Sequence, residues 1–414
     1  MTRELDLGRF PAGRPPVLLL GGLNLVRALG LARIPVVVAS DQVDAVAMAS
    51  RYASARLVLP PLEERGEVVA ALVGAGARIA AALGARAPLF YGNDDWLGLV
   101  QEHRAALAPH FALLLNEPAL ADALLDKSRF QALGESLGLP LPRRIDWEAL
   151  QAERGPVLVK PKVKIAWDHS SVHRQLFGGA GKARIFASGG EARANALVAQ
   201  LAAQLAFQEY VPGGDDAIWS FHGFAAPGGE VLESFVGRKI RTFPALTGDS
   251  SYLRLAREEP LAALGRRIAA RLGLAGVFKM DFKRSAATGR FYLLEINTRF
   301  NLWHYLGAVN GVNLPQVAYE YLVHKRMPLH AEARTVFRWL CLQYDWKAYR
   351  ELKSQGRIGT AQWLWSLAQA PKVYDLFAWD DPAPFLHECR TRARRVPQRL
   401  RRMLSLAQVK PKPE

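Results

Sequence analysis

Cysteine is nearly missing from this chain: among 414 residues only Cys341 and Cys389 occur. Two thiols make neither a disulfide framework nor a zinc site, and a reducing cytoplasm is the expected setting. The chain also lacks an uninterrupted apolar run of about 18 residues, so no membrane span is expected. Its first residues, Met1-Thr-Arg-Glu-Leu-Asp-Leu-Gly-Arg9, have no apolar signal core. Acids are in deficit, 38 against 54 Lys and Arg, which leaves a formal charge of +16. That balance suits anionic ligands such as nucleotides, a membrane surface or nucleic acid. No RNA- or DNA-binding signature accompanies it, so no nucleic-acid partner is expected. Neither a Ser-His-Asp nor a Cys-His arrangement is evident, and no internal repeat. What remains is bulk: half of the residues are hydrophobic, and the length implies about two to four domains.

The first unit opens with an apolar strand, Val17–Leu20, then Gly21-Gly22, a helix pattern to Leu31 and a second strand, Ile34–Ala39. This β-α-β order implies a parallel sheet. The glycines serve either a phosphate or only a tight strand-to-helix turn, because their spacing is not the dinucleotide fingerprint. Pro88–Tyr91 reads as another strand. The Gly92-Asn93-Asp94-Asp95 that follows either touches a substrate at the carboxyl end of the sheet or caps the next helix.

The most informative tract is Phe291-Tyr-Leu-Leu-Glu295-Ile-Asn297-Thr-Arg299. Strand side chains alternate faces, so Glu295 and Asn297 point the same way. Val277–Lys283 is a second strand candidate, separated from the first by Ala287-Thr288-Gly289. A hairpin folded about Thr288 sets Asp281 opposite Glu295, and opposite residues share a face. Three oxygen ligands converge beside a cation, an arrangement suited to Mg2+ bound to phosphates. Two lysines stand upstream: Lys127 in Asp-Lys-Ser-Arg-Phe, opening a helix, and Lys160 in Val-Leu-Val-Lys-Pro, ending a strand. The set predicts an enzyme that consumes ATP.

With both lysines and the acidic hairpin, residues 16–327 resemble the ATP-grasp superfamily, in particular its carboxylate–amine ligases with a carbamoyl-phosphate-synthetase-like centre. The resemblance implies an α/β (α+β) ATP-grasp fold. Its parts would be a Rossmann-like pre-ATP-grasp domain over 1–115, a lid with linker over 116–206, an antiparallel-sheet catalytic part over 207–327 and a helical Trp/Arg-rich extension over 328–414. It places Lys127 near the α-phosphate and Lys160 between phosphates and adenine. Glu209, Tyr210 and Val211 border adenine, and Asp215 or Asp216 holds the ribose. Asp281, Glu295 and Asn297 ligate Mg2+, or Mn2+ in its stead. Arg299 faces the γ-phosphate and the developing acyl phosphate, with Lys239 and Arg241 as further phosphate-facing cations.

The implied activity joins a small-molecule carboxylate to an amine or thiol with release of ADP. A D-aspartate-ligase-type envelope enzyme and a non-catalytic ATP-binding scaffold are the alternatives. The seven arginines between 390 and 402 suggest either a solvated helix face or peripheral contact with an anionic membrane. Dimers are frequent in the group, so a homodimer is compatible. Trp303 stands where biotin-dependent carboxylases carry a glutamate, which argues against carboxylation. The segment 161–182 is read as a cap over phosphate. His169, His173 and His222 are read as surface or loop histidines, and the Trp-rich stretch 337–380 either lines a pocket or packs as a helical cap.

Overall fold

The computed structural model describes residues 6–8, 10–162, 171–177, 183–326 and 330–394, without the side chains of 171–173. The N-terminal unit is a five-stranded parallel sheet in the order β3-β2-β1-β4-β5, built from β1 (Val17–Leu20), β2 (Val36–Ser40), β3 (Ala55–Val58), β4 (Ala87–Tyr91) and β5 (Phe111–Ala112). The continuous apolar runs follow from burial on both faces. Helix α1 (Leu23–Leu31) follows β1, and α2 (Arg65–Leu83) packs Val68, Leu72 and Ile79 into the core with β1 and β4. By length and composition α2 is the one helix among the described residues apolar enough to cross a membrane. Here its apolar face is a wall of that core. Helix α3 (Asp94–Glu102) starts at the carboxyl end of β4.

A four-stranded antiparallel sheet follows, in the order β6-β9-β7-β8: β6 (Arg144–Ile145), β7 (Val157–Pro161), β8 (Arg184–Phe186) and β9 (Leu205–Glu209). It encloses its own small core of Val157, Val159, Phe186 and Phe207. Strand β9 pairs with β6 and β7, so a boundary at 206/207 cuts a strand of this sheet. The expected phosphate cap over 161–182 lies largely outside the described residues, as do His169 and the side chain of His173.

The third unit is a seven-stranded sheet, β14-β13-β10-β11-β12-β15-β16. Its strands are β10 (Ile218–Ala225), β11 (Val231–Phe243), β12 (Asp249–Ala256), β13 (Gly276–Arg284), β14 (Phe291–Asn297), β15 (Arg338–Leu340) and β16 (Lys372–Tyr374). One face carries Phe224, Phe235, Leu253 and Val277, packed with Trp303, Leu306 and the α1 residues Leu25 and Leu29 in a core shared with the N-terminal unit. The other carries Phe221, Val236, Met280 and Phe282 against Leu261 and Ile268 of the helix Glu259–Leu272.

The C-terminal extension is not purely helical. Besides the helices Leu342–Ser354 and Thr360–Ala368 it adds β15 and β16 to the sheet. Short strands escape a composition-led reading because Trp- and Arg-rich segments look helical until a free sheet edge recruits them. The last described helix covers 383–394, beginning before the expected 390. Residues 395–402 of the arginine-rich tail lie outside the described residues.

Candidate active site

The acidic hairpin forms in the expected register. Asp281 lies opposite Glu295, and Lys279 opposite Asn297. A bulge after Asp281 restores the pairing Phe282–Leu293, which keeps Phe282 and Leu293 in the core while Glu295 and Asn297 face the cleft. Asp281 is buried. One of its oxygens accepts from Ser220 Oγ of β10, and the other lies 2.6 Å from Lys279 Nζ. Asn297 Nδ2 donates to Glu295 Oε1 at 3.1 Å, which orients both side chains. Hard oxygen donors from two adjacent strands converge where a cation, the Lys279 ammonium, is already held. This donor set fits Mg2+.

The two lysines expected at the nucleotide lie near each other and near Glu295. Asp126 caps the helix Lys127–Ser136, accepting from the backbone N–H groups of Ser128 and Arg129 at 2.8 Å. Lys127 N donates to Lys162 O just past β7, which ties that helix to the strand carrying Lys160. Burial and the Lys127 ammonium push Lys160 down to about 7, against the pull of the Glu295 carboxylate. A cleft of about 410 Å³ opens beside them, lined by Asp94, Lys127, Arg129, Phe130, Glu295 and Asn297.

Arg299 is placed by a contact between units. Its guanidinium bridges both carboxylate oxygens of Asp94, one at 3.2 Å, while Phe300 N donates to Tyr91 O. Burial opposes its charge, but the Asp94 bond and the Glu295 and Asp281 carboxylates hold its pKa above the ordinary arginine value. Of the four residues after β4, Asn93 caps α3 and Asp94 reaches the site through Arg299. Asp94, named in both sequence alternatives, therefore takes a role that neither described, holding Arg299 from the N-terminal unit.

The residues expected to border adenine sit at the connection between the four-stranded and the seven-stranded sheet. Glu209 ends β9, and its carboxylate accepts from Arg143 N at 3.0 Å. Tyr210 N donates to Pro156 O, and Tyr210 Oη donates to Gly213 O at 3.0 Å. Val211 is buried. Lys283, absent from the sequence-based set, lies 4.1 Å from the centre of the Tyr210 ring. Burial pushes it down to about 8, opposed by Asp215. Asp216 is exposed and pairs with Arg238 at 3.0 Å. Asp215 instead is buried and accepts from the backbone N–H groups of Thr242 and Leu246, so it holds a turn.

Two expectations are corrected. Arg241, expected to face phosphate, does not share the face of Asp281. A bulge around residue 240 sets Lys239 opposite Leu253 but Arg241 opposite Tyr252, on the other face of the sheet. There Arg241 is buried in a two-pronged pair with Asp345 at 2.7 and 2.9 Å. Lys239 keeps the face of Asp281. His222 is no surface residue: it lies in the middle of β10, fully buried, with its ring stacked 4.5 Å from Phe235.

Ser220, Lys279 and Lys283 were missed, and Asp94 was read only as a substrate contact or a helix cap. The alternation Lys279-x-Asp281-x-Lys283 along β13 was a usable signal for the two lysines; Ser220 comes from a distant strand. The Trp-rich stretch divides. Trp339 is core and Trp363 Nε1 donates to Asp345, whereas Trp365 is exposed on a separate cavity wall.

A family model described as ATP-grasp in the biosynthetic pathway with Ter operon matches residues 228–343, the stretch holding Lys239, Asp281, Glu295, Asn297 and Arg299. Among solved structures, a biotin carboxylase–ATP-analogue complex from Campylobacter jejuni superposes with a TM-score of 0.57 at 12% identity, covering 78% of this chain and 74% of that one. An N5-carboxyaminoimidazole synthetase with ADP from Staphylococcus aureus gives 0.55 at 13%, covering 78% and 81%. An L-amino acid ligase from Bacillus licheniformis gives 0.52 at 13%, covering 78% and 77%. No curated protein sequence matches the chain.

Proposed function

This chain has the ATP-grasp fold, and on that premise we propose that it is an ATP- and Mg2+-dependent ligase. It joins a small carboxylate to an amine, or to a thiol, through an acyl phosphate. The observation that carries this reading is the opposition of Asp281 and Glu295, with Asn297 on the same face and Lys127 and Lys160 converging on Glu295. The likeness to an amino acid ligase and to a carboxyaminoimidazole synthetase supports a C–N bond-forming reaction.

Each residue has a physical task in this reading. Lys127 and Lys160 hold the phosphates, and the backbone of Glu209, Tyr210 and Val211 reads the adenine edge. Asp281, Glu295 and Asn297 would hold Mg2+. When bound, the ion neutralises phosphate oxygens and lets a second anion approach them. Arg299 and Lys239 offset the charge that develops at the γ-phosphate. A substrate carboxylate oxygen attacks the γ-phosphorus, the bond to the bridging oxygen breaks, and ADP departs. The amine then attacks the acyl carbon, phosphate departs, and the amine releases a proton. No protein nucleophile takes part, in keeping with the missing triad.

The test is ADP release from Mg2+-ATP against an array of carboxylates and amines, with Glu295→Gln as control. Turnover that needs both an acid and an amine, and falls by at least about 100-fold in the variant, is expected for loss of a charged phosphate-site group. Turnover that is indifferent to the variant would overturn the reading.

A further inference from the structure

The face of the large sheet that points away from Asp281 carries an unbalanced row of arginines. Arg238 of β11 lies opposite Arg254 of β12, and Arg254 lies opposite Arg338 of β15. Residues so paired have Cβ atoms about 5 Å apart, and like charges in that position repel. Lys372 of β16 extends the row, but its ammonium is turned into the carbonyls of Leu367 and Ala370. The other partners are few. Arg238 bonds the exposed Asp216, while Arg338 donates to Tyr252 Oη and Gln369 Oε1 at 3.2 and 3.0 Å. Among the described residues, neither Arg254 nor Arg338 has a carboxylate partner. Burial and the flanking guanidiniums of Arg238 and Arg338 lower the Arg254 pKa, against the pull of the Asp216 carboxylate, the one acid among the described residues that acts on it.

The row is bounded like a site. Along the strands, the pair Val236–Ala256 on one side packs under the helix Glu259–Leu272. On the other, Arg241 and Tyr252 are fastened to Asp345 and Ser366 of the extension. Trp219 closes one end, with Arg238 4.9 Å from its ring centre. A cavity of about 480 Å³ lies next to the row without being lined by it: its walls include Asp215, Arg357 and the partners of Arg238 and Arg338, Asp216 and Gln369. Residues 238 and 237 alternate faces, and Gly237 is aligned through Ser220 with Asp281, so this site is separated from the phosphate cleft by the thickness of the sheet.

We propose that Arg238, Arg254 and Arg338 form a second anion site, which takes a small phosphorylated ligand with at least two negative groups. Guanidinium forks match phosphate oxygens in pairs. A row spaced by the strand separation, about 4.8 Å, lets neighbouring guanidiniums share the outer oxygens of one polyanionic ligand, and the neighbouring cavity has room for the rest of a small molecule. The site is independent of the ligase reading.

Calorimetric titration of inorganic pyrophosphate onto the full chain, with Mg2+ in excess and the nucleotide cleft saturated by Mg2+-ADP, tests it. One further site is expected, weakened at least tenfold in Arg254→Gln and several-fold in Arg254→Lys, which keeps the charge but not the fork. Glu295→Gln should leave it intact, which separates this site from the cleft. Without anion at low salt, Arg254→Gln should melt no lower than the unaltered chain, because it relieves repulsion. Absence of heat in the ADP-saturated protein, or equal affinity in both Arg254 variants, would overturn the proposal. So would an anion response lost only in Glu295→Gln.

Discussion

At the scale of single residues, the site depends on charges whose state is set by their neighbours. Lys160 is held down to about 7 by burial and by Lys127. From there up to the ordinary lysine range, the unfolded chain holds a proton that the folded chain has given up. Apo stability should therefore rise with pH across that window. Phosphate favours the ammonium, so ATP binding near pH 8 should draw in a proton. Calorimetry in buffers of different ionisation enthalpy should show this uptake in the unaltered protein and its loss in Lys160→Met. Asp94 offers a second measurement. It fixes the Arg299 guanidinium from another unit, so Asp94→Asn should lower kcat at least about tenfold, with a smaller change in KM, as expected for a misplaced transition-state cation. Equal loss in both parameters would show that Asp94 serves binding instead.

At the scale of elements, alternation made the hairpin legible and a bulge hid its neighbour. Glu295 and Asn297 obey period two, and the short turn between two apolar runs sets their register against Asp281. The resemblance set Lys239 and Arg241 together as phosphate-facing cations, but one extra residue in β11 moves Arg241 to the opposite face. A bulge leaves no dependable mark in composition, and its position follows from how β11 and β12 pack. The consequence is measurable. Arg241→Met should leave the KM for ATP unchanged within about twofold, whereas Asp345→Ala should cost about 3–5 kcal/mol by denaturant titration, since it strands a buried guanidinium. His222 was misplaced for a related reason: a histidine in an apolar run reads as exposed until strands on both flanks and Phe235 enclose it.

At the scale of the whole molecule, the C-terminal extension acts as a clasp. It adds β15 and β16 to the sheet and sends Asp381 into the N-terminal unit. There Asp381 pairs with the buried Arg27 at 3.1 Å and accepts from Ser50 Oγ and Arg51 N. Trp339 Nε1 donates to Asn24 Oδ1 from the same side. Asp381→Ala leaves Arg27 buried without its acid and should cost about 3–5 kcal/mol. Limited proteolysis should then cut first within 371–394. Retained protection there would show that the strands alone hold the extension.

Sequence by itself determined what local rules can reach. Apolar runs with short connections specified the parallel sheet, and period two specified the shared face of Asp281, Glu295 and Asn297, the candidate cation site. Only the tertiary structure decided the contacts made between residues far apart in the chain. The Asp94–Arg299 pair spans 205 positions and the Arg27–Asp381 pair 354. The arginine row joins three strands whose order in the sheet is set by packing. Such contacts depend on how separate units dock, and docking is governed by summed burial over many residues, which no short motif encodes.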